Sequence, residues 1–145
     1  AAADEFGDEL SQEQIVDLFH SEYIDFVGKY GLCRHRFAEL HEPDGSVHSR
    51  FEGAITVGEK EVHIAGVGNG PIDSFFQALA HAGVQGYHFV NYHEHAVSHG
   101  SNAEGICYIE LKKPNGEHIF GAGMHPNVNV AALLGIICAI NRAEK

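Results

Sequence analysis

The chain is poor in positive charge. Nine lysines and arginines stand against 20 acidic residues, for a formal net charge of −11. Phosphate backbones are held by clustered Lys and Arg, so this deficit argues against a nucleic-acid partner and against an anionic membrane surface. Cysteine is scarce too: Cys33, Cys107 and Cys138 are odd in number, widely spaced and free of any C-x-x-C pair. That excludes a disulfide framework and points to a reducing cytosol. Each lies in an apolar run and reads as a small buried hydrophobe rather than a reactive thiol. No stretch reaches about 18 uninterrupted apolar residues, so no bilayer-spanning helix is expected. The acidic segment Ala1 to Leu10 lacks the apolar core of a secretory signal. At 145 residues the chain suits one domain around one core. It is too short for a (β/α)8 barrel, which takes about 250 residues.

What is present is a pattern that occurs twice, 55 positions apart. Gly66-Val67-Gly68-Asn69-Gly70-Pro71 and Gly121-Ala122-Gly123-Met124-His125-Pro126 each lead into an apolar, helix-like run. The pattern predicts a tight glycine turn opening into a helix with proline in its first turn. Its bare backbone N–H groups would suit a carboxylate or phosphate. It is not a dinucleotide fingerprint, because Pro71 replaces the third glycine, and no Gly-Lys-Ser/Thr follows to make a P-loop. One copy alone is as readily a plain turn as a site; the pair favours a small anionic ligand at two equivalent helix starts.

Around this pattern the chain divides into two similar units. An amphipathic helix is expected first, over Ser11 to Val27, with a capping box at Ser11-Gln12-Glu13-Gln14. Unit one then carries strands at Cys33 to His41, about Val47 to Val57 and Glu61 to Val67. Unit two carries strands at Tyr87 to His95, Ala103 to Lys112 and Glu117 to Gly121. Hairpin turns are expected at Pro43-Asp44-Gly45, Gly58-Glu59-Lys60 and Lys113-Pro114-Asn115-Gly116. A uniform shift of 55 aligns Phe37 with Tyr92, Glu39 with Glu94, Phe51 with Ile106, His63 with His118, Ile64 with Ile119 and Pro71 with Pro126. The expected fold is α+β: an internally duplicated β-β-β-α unit, mainly antiparallel, with helices packed on one face. Residues 1–31 form a linker and connecting helix and 32–145 the duplicated domain, with units at about 32–86 and 87–143. The second helix, Val128 to Ile140, is apolar on nearly every face, so either the core wraps it or a second subunit covers it; dimerisation is the favoured reading.

Two further clusters weigh less. His93-Glu94-His95 with His99 has metal-ligating residue types. In a strand, however, His93 and His95 point one way and Glu94 the other, so a metal is not expected. The small polar loop Ser98 to Ala103 is equally an ordinary connection or a flap over a ligand. No Ser lies in a G-x-S-x-G elbow and no Cys sits beside a basic group, so catalysis by this chain alone is not expected.

Gly68 to Ile72 (G-N-G-P-I), Tyr92 to Ala96 (Y-H-E-H-A), Ser101 to Ala103, Gly121 to Met124 and Ala139 to Ala143 (A-I-N-R-A) together resemble the C-terminal regulatory domain of 2-isopropylmalate synthase. The resemblance covers roughly residues 32 to 143, and the Ser11 to Val27 helix looks like the end of the subdomain joining this module to a catalytic barrel. It implies a homodimerising domain that binds leucine and inhibits acetyl transfer from acetyl-CoA to 2-oxoisovalerate in that barrel, with no cofactor here and a divalent metal in the barrel. By motif position the effector pocket would draw on Gly68, Asn69, Gly70, Ile72, Phe89, Asn91, Tyr92, Ala96, Ala103 and Met124, with Asn91 or carbonyls taking the ammonium. Asn91 stands where many members carry Asp, and His93, His99 and His125 also depart from the family pattern. The alternatives are the isoleucine-sensing domain of a citramalate synthase and a dimerisation module without a ligand.

Overall fold

The structure, a computed structural model, describes residues 28–99 and 102–144, without the side chains of 96–99, 102 and 103. The helix expected over Ser11 to Val27 lies outside these residues. The chain folds as β1 (Tyr30–His41), β2 (Val47–Val57), β3 (Lys60–Gly68), α1 (Pro71–Ala80), β4 (His88–His99), β5 (Asn102–Lys112), β6 (His118–His125) and α2 (Val128–Ala143). This is the expected β-β-β-α order twice over, in two three-stranded antiparallel sheets, β1-β2-β3 and β4-β5-β6.

The turns explain why the strands pair locally. Gly58 is the first of the two residues joining β2 to β3, and its φ of 64° is the conformation a tight hairpin turn asks of that position. Gly45 and Gly116 both have φ of 92°. Each follows an Asx residue whose side-chain oxygen accepts a backbone N–H two residues on: Asp44 from Ser46, Asn115 from Glu117.

The two units are not related by one shift. In the first, Phe37, Phe51 and Gly66 lie side by side across the sheet; in the second, Tyr92, Ile109 and Gly121 form the same row. The outer strands therefore match at 55, but the middle strand matches at 58, and Phe51 corresponds to Ile109 rather than Ile106. The cause is arm length: from the shared row to the turn, β4–β5 runs Tyr92 to His99 and Asn102 to Ile109, longer than Phe37 to His41 and Val47 to Phe51 in β1–β2, and this outweighs its shorter turn. Most of the segment expected as a loop, Ser98 to Ala103, is thus ladder, with Ser98 opposite Ala103.

The glycine motif is likewise not a turn. Gly66 and Gly68 lie inside β3, Gly121 and Gly123 inside β6. Successive glycines at i and i+2 share one face, and on that face the helix backbone leaves no room for a side chain. A Cβ on Gly66 would come within 2.4 Å of Ala78 N and 2.6 Å of Ser74 O; on Gly121, within 2.4 Å of both Ala139 N and Gly135 O. The glycines let each helix lie directly on its strand. The same contacts show that the helices match at 61, so α2 begins about one turn earlier than α1 relative to its sheet.

Both units share one core: Phe51, Ile55, Phe75 and Leu79 from the first meet Cys107, Ile109, Leu111, Leu133, Ile136 and Ile140 from the second. Phe51 and Phe75 are fully buried with ring centroids 4.9 Å apart, each worth about 1.5–3 kcal/mol of transfer free energy. Ten residues of α2 are buried, from Ala131 to Asn141, so the single chain already covers the all-round apolar helix. A second subunit is not needed to explain it. Cys107 and Cys138 are buried, as their apolar runs suggested; Cys33, at the bulge where β1 slips against β2, is exposed.

Candidate effector cleft between the helix starts and β4

The two helix starts are chemically unlike. At α2 the N-cap Asn127 accepts hydrogen bonds from Asn129 N at 2.9 Å and Val130 N at 3.3 Å, and its own N–H donates to His125 Nδ1 at 2.9 Å. Those amides are occupied by the protein's own atoms. At α1 the N-cap is Gly70, which offers no side-chain oxygen, and Pro71 follows it. Asn69 N–H is taken by Asp73 Oδ2 at 2.9 Å, and nothing lies within 4 Å of where a Cβ on Gly70 would stand. The expected pair of equivalent anion seats is therefore corrected to one open helix start, at Gly70.

Beside this start lies a cleft of about 140 Å³. Pro71 and Ile72 of α1 form one wall, Tyr92 and Glu94 of β4 another, and Val128, Asn129, Ala132 and Leu133 of α2 the third. The earlier start of α2 is what brings its first turns to this place. Tyr92 and Glu94 reach it because their rows run through Gly121 and Gly123, the positions on which α2 lies. A cavity of about 150 Å³ holds a benzene-sized molecule, so the volume suits a small metabolite with a compact apolar side chain.

The lining is apolar apart from Glu94, Asn129 and the Tyr92 hydroxyl. Glu94 has no hydrogen-bond or ion-pair partner among the described residues. Beneath it, the Cys107 thiol is pushed up to about 11 by burial and, second, by the Glu94 charge.

The residues expected to form the pocket divide. Ile72 and Tyr92 line the cleft, and Gly70 immediately precedes its Pro71. Phe89 lies on the same face of β4 with its ring 6.0 Å from that of Tyr92, while Gly68 is packed under Asp73 and Ser74. Ala96 stands opposite Gly105, two positions beyond Glu94 on β4, and Ala103 stands opposite Ser98. Asn91 and Met124 lie in rows facing away from α2: Asn91 with Glu110 and Phe120, Met124 with Ile106 and His95. The Asn91 side chain accepts from Tyr92 N at 2.9 Å. His93 and His95 also face away from Glu94, as strand alternation predicts. Among the described residues no three His, Cys, Asp or Glu groups converge to hold a metal. Glu94, Asn129 and Leu133 were missed as cleft residues; the i+2 spacing of Glu94 from Tyr92 was the signal that could have found the first.

Two larger hollows are weaker candidates. One of about 590 Å³ surrounds Gly53, but its Arg34 and Arg36 are already matched by Glu61 and Glu52 at 3.1 and 3.0 Å. The other, about 370 Å³, lies on the outer face of β4-β5-β6 among Asn91, Tyr108 and Phe120. Both are broad and open to solvent, whereas the smaller cleft is walled by three elements.

The chain is thus an α+β domain of duplicated β-β-β-α units, with a metabolite-sized cleft between one open helix start, a capped one and an edge strand. The LeuA allosteric (dimerisation) domain family matches residues 9–144, and the chain belongs to that family. It is 34% identical over 145 residues to a 2-isopropylmalate synthase of Clostridium acetobutylicum, covering 98% of this chain and 25% of the relative. It is 38% identical over 146 residues to that of Mesorhizobium japonicum, with the same coverages. It is 31% identical over 137 residues to that of Mycobacterium leprae, covering 94% of this chain and 22% of the relative. The chain thus spans about a quarter of the length of these relatives. Among the described residues no helix is long and apolar enough to cross a membrane.

Proposed function

We propose that this chain is the leucine-sensing, homodimerising domain of a cytoplasmic 2-isopropylmalate synthase. Leucine occupies the cleft between α1, α2 and β4, and its binding inhibits acetyl transfer in a metal-dependent catalytic barrel of the same polypeptide. The observation that carries the reading is the cleft itself, with the unfilled start of α1 at Gly70 on one side and Ile72, Tyr92 and Leu133 lining the rest. The helix start holds the effector carboxylate, worth about 0.3–2 kcal/mol. The apolar wall takes the branched side chain, worth roughly 1.5–3 kcal/mol when fully buried. A misplaced methyl changes affinity by only about 1–3 kcal/mol, so shape decides between leucine and isoleucine. Feedback then needs a coupling of about 1–3 kcal/mol between cleft and barrel.

Calorimetric titration of the chain with leucine, isoleucine and valine tests this. Leucine binding with isoleucine at least several-fold weaker supports the reading; a preference for isoleucine assigns the chain to a citramalate synthase instead. No heat with any of the three at millimolar concentration, with a dimer persisting in sedimentation, leaves a dimerisation module without an effector.

A further inference from the structure

We infer that Glu94 recognises the ammonium group of the effector and thereby sets the cleft's selectivity for an α-amino acid over the corresponding 2-oxo acid. The inference rests on the cleft being the effector site. Among the lining residues Glu94 is the one with an acidic or basic side chain of the Asp, Glu, Lys, Arg or His type. Several carboxylates on the sheets are matched, Glu52 by Arg36, Glu61 by Arg34 and Glu110 by His118, while Glu104 on β5 lies outside the cleft lining. Glu94 has no such partner among the described residues.

Its direction is fixed by the fold. Glu94 stands in the row Glu94-Cys107-Gly123, and Gly123 lies directly beneath the α2 backbone at Ala131 and Gly135. The carboxylate is thereby set on the cleft side of β4, while His93 and His95 occupy the other. Glu94 itself is exposed, but with the buried Cys107 behind it and Ile72 and Leu133 lining the same cleft, an ammonium there meets a charge-assisted acceptor. A 2-oxo acid places a carbonyl oxygen there instead, and two acceptors face each other without a proton between them. Asn91 cannot serve in this role, because it lies on the opposite face with its oxygen bonded to Tyr92 N.

The test is calorimetry at pH 7 on the 145-residue chain. The ligands are leucine with 4-methyl-2-oxopentanoate, or isoleucine with 3-methyl-2-oxopentanoate if the wild type takes isoleucine. Wild type, Glu94→Gln and Ile72→Ala are compared, with melting curves to verify folding. Glu94→Gln should weaken the amino acid about ten- to a hundredfold and leave the 2-oxo acid unchanged or tighter, so their ratio collapses. Ile72→Ala should weaken both alike. If the wild type binds the amino acid and Glu94→Gln alters both ligands equally, or neither, the role of Glu94 is overturned while the effector reading stands. If the wild type binds no branched-chain amino acid, both fall together.

Discussion

Asn141 holds the Tyr30 peptide from both sides: its Oδ1 accepts from Tyr30 N at 2.8 Å and its Nδ2 donates to Tyr30 O at 2.9 Å. The amide thus acts as one more strand residue beside β1, supplied from the last turn of α2. Asn141 is only 4% exposed, and Gly28 passes so close that a Cβ there would sit 2.5 Å from its Cγ. Just beyond, the Glu144 carboxylate accepts from the hydroxyls of Tyr30 and Tyr87. Asn141→Ala leaves a backbone donor and acceptor without partners, and urea unfolding should show a loss of about 2–4 kcal/mol. A loss under about 0.5 kcal/mol, the size of an ordinary surface change, would mean the clasp does not hold β1.

Gly70 and Gly121 should respond in opposite ways to a side chain. Gly121→Ala drives a methyl into the α2 backbone at Gly135 and Ala139, and the overpacking should cost about 1–3 kcal/mol or more. Gly70 has open space and an extended φ of −170°, which any residue adopts. Gly70→Asp supplies the missing cap, so thermal stability should rise by a few tenths to about 1 kcal/mol. The same carboxylate then occupies the amides proposed for the effector, and leucine binding should disappear. A Gly70→Asp protein that melts higher and still binds leucine would remove the helix start from the site.

The three thiols should separate by reactivity and pH. At pH 8 an alkylating reagent should modify Cys33 in the native protein and reach Cys107 and Cys138 only after unfolding. For Cys107 the folded pKa of about 11 lies above the unfolded thiol value of about 8.5. The fold therefore favours the protonated form. Its contribution is complete below about pH 8.5 and declines as pH rises toward 11, by at most roughly 3–4 kcal/mol. Denaturant midpoints between pH 8 and 11 should fall more steeply for the wild type than for Cys107→Ala; parallel curves would refute this.

Local chemistry made much of the fold legible. Asp44-Gly45, Gly58 and Asn115-Gly116 announce their hairpins because only certain residues accept those backbone angles. Two readings failed, each for its own reason. The glycine motif reads as a turn although the i, i+2 spacing of Gly66/Gly68 and Gly121/Gly123 is that of a strand face; the demand for glycine comes from the following helix folding back onto that strand. The uniform shift of 55 failed at Phe51 because the β4–β5 hairpin has longer arms and a shorter turn than β1–β2, a trade that turn residues alone do not display. In the cleft, Ile72 and Tyr92 were accessible through motif resemblance. Asn129 and Leu133 were not, since they arrive only because α2 starts a turn early. Asn127 could have been identified as a cap from its place before an apolar run.

That early start bears on stoichiometry. An exactly repeated domain would present two sensors per polypeptide, but here the second helix has spent its opening amides on Asn127 and serves as a wall for the first. On the proposed reading the two halves together make one leucine site, so a leucine titration should saturate at a single equivalent per chain.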